Sequence, residues 1–151
     1  MTSRQTIEIE AGPEYIFELS QDYSKRLDWD PFLKVARLID GASRAGVGVK
    51  AWCVARSGLG METRYVSFHP PGVCAVEMTQ GPWFLRSFAG SWRFEPVGPE
   101  RTRVVFTYGF VGRPTLLTPL LAIAFARDTR HRLEALKRAI ERRPDSQIPG
   151  T

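Results

Sequence analysis

Trp83-Phe84-Leu85-Arg86-Ser87-Phe88-Ala89-Gly90-Ser91-Trp92-Arg93-Phe94 is the stretch on which the fold turns. Gly81-Pro82 precedes it and Pro96 follows, and its rings recur at a spacing of two, so it predicts a long β-strand. Successive strand side chains point to opposite faces. One face then carries Phe84, Arg86, Phe88, Gly90, Trp92 and Phe94, and the other Trp83, Leu85, Ser87, Ala89, Ser91 and Arg93. Large rings dominate the first set, which is therefore expected to face the interior. The next run, Arg103 to Val111, repeats the pattern with Val104, Phe106, Tyr108 and Phe110 on its bulky face. Two neighbouring strands thus offer a wall of aromatic rings to one interior.

The same grammar extends upstream. Leu33–Ile39 closes at Asp40-Gly41, Val47–Ala55 at Ser57-Gly58, Met61–Phe68 at Pro70-Pro71-Gly72, and Val73–Thr79 at Gly81-Pro82. Strands joined in sequence by short Gly/Pro turns predict an antiparallel meander rather than βαβ crossovers. Ahead of them, residues 6–10 alternate as a first strand. Pro13 suits a helix first turn, with Tyr15, Ile16, Phe17 and Leu19 as its apolar stripe. A second short helical turn falls at Tyr23–Leu27, and Pro31 biases Asp30 away from helix.

Downstream, Leu117, Leu121, Ala124, Phe125, Leu133, Leu136 and Ile140 recur at helical spacing and predict one long helix over 115–142. Such a helix spans roughly 40 Å, and it is the element large enough to cover one face of the sheet. The predicted class is α+β: a curved antiparallel sheet of about six to seven strands around a long C-terminal helix, with two short helices after the first strand. One helix on a strongly curved sheet leaves a hollow that Leu and Ala cannot fill. Rings lining its walls make an apolar cavity, the usual form of a small-molecule site.

Composition bounds the rest. With 151 residues, 43% hydrophobic and 25% charged, the chain reads as one globular domain over 1–151. Its ordered core is expected over about 5–142, with a flexible polar tail at 145–151 after Pro144. Cys53 and Cys74 lie in apolar runs without CxxC spacing, which predicts buried reduced thiols and a cytoplasmic protein. The opening residues do not resemble a signal peptide, and Leu116–Ala126 is too short to span a bilayer. The net charge of +5 gathers on Arg127, Arg130, Arg132, Lys137, Arg138, Arg142 and Arg143. Interleaved Asp128, Glu134 and Glu141 suggest a solvated helix face, and the same face suits transient contact with a membrane or an acidic partner. Nucleic acid is not expected, because no exposed stacking rings sit among the basic residues. The sequence does not indicate an oligomeric state.

No catalytic motif of the GxSxG, HExxH or phosphate-loop kind is present. Asp22, Asp28 and Asp30 read as caps or exposed charges, with no metal site and no cofactor implied. Arg86 stands out as a cation among interior rings, where a guanidinium needs an oxygen partner, and it is the expected polar contact of a ligand. The expected binding set is Arg86, Phe84, Phe88, Trp92, Phe106, Tyr108, Leu121 and Phe125. Weaker candidates for chemistry are His69, Arg64 and Tyr108, with His69 at a strand end suited to proton transfer. His131, among arginines, reads as solvated, and Tyr65 is a second candidate polar tip.

The order strand, two short helices, sheet, long helix resembles the START-like superfamily, also called the birch-pollen-allergen or SRPBCC fold. The carrying strings are Ile7 to Asp22, Trp29-Asp30-Pro31-Phe32, Gly81-Pro82-Trp83, Gly90-Ser91-Trp92-Arg93-Phe94-Glu95-Pro96, and Thr102-Arg103-Val104 with Phe106. They look like the polyketide cyclase/dehydrase and coenzyme Q-binding branch. The resemblance implies a helix-grip fold whose cavity holds a small hydrophobic molecule: a lipid, sterol, quinone or polyketide. It also implies two alternatives to plain binding, a polyketide cyclase, aromatase or dehydratase, and a membrane-facing shuttle or interaction module. In aromatase/cyclases of this fold a cavity arginine orients the polyketide. The matching position here is His69, with Arg64 nearby.

Overall fold

The computed structural model describes residues 2–142. The predicted tail at 145–151 and the helix stop at Pro144 lie outside the described residues. Seven strands form one sheet: β1 (Thr2–Ile9), β2 (Leu33–Leu38), β3 (Lys50–Ala55), β4 (Gly60–His69), β5 (Val73–Gln80), β6 (Leu85–Gly98) and β7 (Arg101–Gly112). Their spatial order is β1-β7-β6-β5-β4-β3-β2, and every pairing is antiparallel. Helices α1 (Pro13–Gln21) and α2 (Arg26–Trp29) follow β1, and α3 (Thr118–Glu141) follows a 3-10 turn over Thr115–Leu117. This is the helix-grip arrangement, with the sheet curved around α3.

The element bounds follow local chemistry. β7 is the clearest case: Thr102, Val104, Phe106, Tyr108, Phe110 and Gly112 are buried, and each residue between them is not. It templates β1, which begins at Thr2 rather than at residue 6, because Thr2 pairs with Gly109 and Gln5 with Phe106. The polar start of β1 carries no apolar signal of its own, so the partner strand sets its length. The second short helix also moves, from the predicted Tyr23–Leu27 to Arg26–Trp29. The Asp22 carboxylate accepts from the backbone N–H of Ser24 and from its hydroxyl, an Asx turn that displaces the helix start. The predicted helix over 115–142 opens as a 3-10 turn instead, because Pro119 sits in the first turn of α3 proper.

One expectation fails at a bulge. The β6–β7 register shifts between Leu85 and Ser87. The extra residue turns Leu85 inward and leaves both Arg86 and Ser87 exposed, after which Phe88, Trp92 and Phe94 resume the interior alternation. A second irregularity in β4, between Tyr65 and Ser67, exposes Val66 and returns Phe68 to the interior.

The interior has two parts. In one, Leu133, Leu136 and Ile140 of α3 join Ile9 and Val104 in a fully packed core. Lys137 fastens this end by donating from Nζ to the Glu8 carbonyl at 2.7 Å, and Glu141 accepts from the Glu10 N–H at 2.9 Å. In the other part, α1 and α2 close one side while the first half of α3 bridges the sheet. Among the described residues, no helix is long and apolar enough to cross a membrane.

Candidate ligand-binding site

Between the first half of α3 and the sheet lies a cavity of about 300 Å³, at the lower end of the roughly 300 to 1,000 Å³ typical of small-molecule sites. Its apolar walls include Phe84, Phe88, Trp92, Phe106, Leu121 and Phe125. The ring system is continuous. Trp92 lies 4.8 Å from Phe106, Phe88 meets Phe125 edge-on at 5.8 Å, and Phe110 backs Phe125 at 4.8 Å between centroids. Gly90 permits this, since a Cβ there would come within 2.9 Å of the Phe106 ring. The absence of a side chain lets Phe106 lie flat across β6.

Six of the eight residues expected to bind ligand therefore line the cavity. Tyr108 lies behind the wall: its ring stacks on Phe88 and Phe106 and meets Phe125 edge-on. Its hydroxyl is buried with no hydrogen-bond partner among the described residues. Arg86 is exposed and is not part of the cavity, because the bulge turns it outward. The candidates for chemistry also fall outside. Arg64 is exposed and paired with Glu77 at 2.7 Å across β4 and β5, and His69 is exposed at the end of β4. Alternation explains both, since Tyr65 takes the interior position beside Arg64, and His69 follows the interior Phe68.

The polar groups of the cavity come from elsewhere. Gln21 and Tyr23 at the end of α1, Arg26 of α2, Tyr65 and Thr63 of β4, and Asp128, Thr129 and Arg132 of α3 all line it. Arg26 is buried, and its Nε–H donates to Asp30 Oδ2 at 2.8 Å. The Nε of Arg132 lies 3.0 Å from the same oxygen, close enough for an ion pair but too poorly aligned for a hydrogen bond. Asp30 Oδ1 accepts from the Phe32 N–H. Burial alone would raise the Asp30 pKa, but Arg132 and Arg26 outweigh it and hold the carboxyl below its usual range. Asp30, expected as a cap or exposed charge, is the C-cap residue of α2 and is buried, at the centre of this cluster. Arg132, expected on a solvated face, is half-buried there.

Rings hold the guanidiniums. Arg26 sits over Tyr23 and Trp29 at 5.4 and 5.1 Å, and Arg132 over Phe32 at 4.9 Å. The Tyr65 hydroxyl donates to Gln21 Oε1 at 2.6 Å, and Gln21 Nε2 donates to Ser20. Burial pushes the Tyr23 and Tyr65 hydroxyls up, so both stay protonated at neutral pH. Cys53 lines the cavity, with its thiol raised by burial, and Cys74 is buried and pushed up to about 12. Neither is a reactive thiolate. Among the described residues, no group of His, Cys, Asp and Glu is placed to hold a metal ion.

Comparison with known proteins agrees with this fold. The Zhui aromatase/cyclase from a Streptomyces species superposes with a TM-score of 0.83, at 20% identity over 97% of each chain. A START superfamily protein from Mycobacterium smegmatis gives 0.77, at 15% identity over 93% of this chain and 97% of its own. At such identities these likenesses establish the fold. No curated protein sequence matches the chain. The model of a family described as polyketide cyclase/dehydrase and lipid transport matches residues 1–141. With nearly the whole chain covered, this protein belongs to the polyketide cyclase/dehydrase and lipid transport family.

Proposed function

We propose that the protein binds one small, largely apolar molecule, of lipid, quinone or polyketide-like character, in the cavity between the sheet and α3. The observation that carries this reading is the wall of Phe84, Phe88, Trp92, Phe106, Leu121 and Phe125 around about 300 Å³ of space. Apolar walls with a few convergent polar groups are the general form of such sites, and the family's description includes lipid transport. The volume suits a compact ring system or short chain. Native mass spectrometry of the protein purified from its own host tests this reading. The expected result is a retained species at one copy per chain, released by organic solvent. Protein that emerges empty and takes up no member of a panel of lipids, quinones and aromatic polyketides contradicts it.

Cyclisation or dehydration of a polyketide-like chain is a second reading, favoured by Asp128, Thr129 and Arg132 on one cavity wall. Arg64 and His69 have no part in it. If it is right, Asp128→Asn abolishes turnover of a poly-β-keto substrate while leaving its binding intact; turnover unchanged by the substitution argues against it.

Exposed apolar side chains at the start of α3 also support loading at a membrane surface. Leu116, Leu120 and Ile123 are exposed, with Arg113 and Arg127 beside them in sequence, and Trp83 is 74% exposed on the turn before β6. That turn adjoins the start of the 3-10 segment, since the Arg113 N–H donates to the Phe84 carbonyl at 2.7 Å. Flotation with anionic vesicles is expected for the wild type and lost in Leu120→Glu with Ile123→Glu; equal flotation of both would rule the contact out.

A further inference from the structure

We propose that Arg26 and Arg132, sharing the single carboxylate of Asp30, form a head-group subsite for a ligand that carries an anionic oxygen, a carboxylate or an ionised enol, on an apolar body. This rests on the cavity reading above and adds the chemistry of the ligand's polar end.

The charge balance carries the argument. Asp30 is 1% exposed and Arg26 6%. Two guanidiniums meet one carboxylate oxygen, at 2.8 and 3.0 Å. One negative charge is thus divided between two positive ones inside the protein. A surplus buried charge is costly unless another group offsets it. Both arginines line the cavity, whereas Asp30 stands behind them. The two guanidiniums therefore face the space a ligand would occupy, where Asp128 is the other charged group of the wall and makes no ion pair with either of them among the described residues.

The donor geometry agrees. Arginine has five N–H donors. In Arg26, Nε serves Asp30 and Nη1 makes a long contact to the Ser20 carbonyl at 3.4 Å. The guanidiniums lie over the rings of Tyr23, Trp29 and Phe32, contacts that take up none of their N–H donors. Tyr23 lies on the same stretch of wall, with its hydroxyl against that of Tyr65. One group opposes an anion. Asp128, one turn before Arg132 on α3 and half-buried, also lines the cavity. Its charge works against the subsite, which gives the proposal a second test of opposite sign.

The probes are naphthoate and its neutral analogue naphthalenemethanol, titrated against wild type, Arg132→Met and Asp128→Asn. Wild type is expected to bind both and to prefer naphthoate. Arg132→Met keeps the Arg26–Asp30 pair and much of the side-chain volume. It should weaken naphthoate by about 10- to 100-fold, the scale of a charge-assisted hydrogen bond, and change naphthalenemethanol by less than about twofold. Asp128→Asn leaves the Asp30 ion pairs untouched and should tighten naphthoate several-fold, so it serves even if Arg132→Met is poorly folded. Equal losses of both probes in Arg132→Met, or a weakening of naphthoate in Asp128→Asn, would overturn the subsite while leaving the cavity reading in place. If neither probe saturates the wild type, the cavity reading fails and the subsite with it.

Discussion

The two halves of α3 lie over the same sheet and meet it differently. In the second half, Leu133, Leu136 and Ile140 are 2, 0 and 1% exposed and pack with Ile9 and Val104. In the first half, Phe125 packs edge-on against Phe88 and Phe110 but also lines the cavity with Leu121, and Leu120 and Ile123 face outward. Both halves are rich in apolar residues. The second half rests on β1, to which Lys137 ties it, while Glu141 holds Glu10 just past the end of that strand. The first reaches the rings of β6 and β7 through Phe125, and beside that contact the curve of the sheet leaves a hollow that its Leu and Ala side chains do not fill. The lesson is that apolar content alone does not make a packed core. The helix must also lie close along a strand, and where the sheet curves away from it the same kind of residue encloses a cavity.

The largest effect that would sharpen this comparison concerns the polar cluster at the hollow end. Asp30→Asn strands two guanidiniums without a counter-charge and should destabilise the fold by about 3 to 5 kcal/mol at neutral pH, measured by urea denaturation. A loss below about 1 kcal/mol would show that the cluster is hydrated and not structural. Next comes a matched pair. Leu136→Ala in the packed half should cost about 2 to 5 kcal/mol, whereas Leu121→Ala beside the existing void should cost less than half as much. Equal costs would mean that both halves are equally packed.

Acid unfolding gives a smaller, graded effect. The folded pKa of Asp30 lies below its ordinary value of 3.8. Its stabilisation is therefore complete above that value and is lost as pH falls through the depressed folded pKa. Urea midpoints of wild type should converge on those of Asp30→Asn as pH drops from about 5 toward 2. A gap that stays constant with pH would show that Asp30 is not held ionised by the two arginines. The smallest expected effects are at Arg86 and Arg64, both exposed, where Arg86→Met and Arg64→Ala should each change stability by no more than about 0.5 kcal/mol. A larger loss from Arg86→Met would mean that the bulge does not place it in solvent.

Much of this architecture is legible in the sequence. The alternation of Val104, Phe106, Tyr108 and Phe110 is uninterrupted, so β7 and its inward face follow directly, and the spacing from Leu117 to Ile140 predicts α3. The ring wall is legible for the same reason. Arg86 is misplaced because alternation is counted from a register, and the bulge at Leu85–Ser87 resets it with no glycine or proline to mark the break. The polar cluster is missed for another reason. Arg26 and Asp30 show their i,i+4 spacing, which could have paired them, but Arg132 comes from the far end of the chain and joins them only through the fold. On α3 it is also one basic residue among several, and its spacing does not distinguish the buried one from Arg127 or Arg130.

The central claim is that the hollow end holds a ligand, and filling the hollow tests it most directly. Val76 lines the cavity and is half-buried, so Val76→Phe should occupy the space while leaving the packed half of α3 alone. The measurement is a fluorescence titration of wild type and Val76→Phe with the apolar probe N-phenylnaphthylamine, with circular dichroism confirming that both are folded. The account predicts saturable binding of one probe per chain by wild type and no saturable binding by the folded variant. Equal binding by the two proteins, or none by wild type, would contradict it.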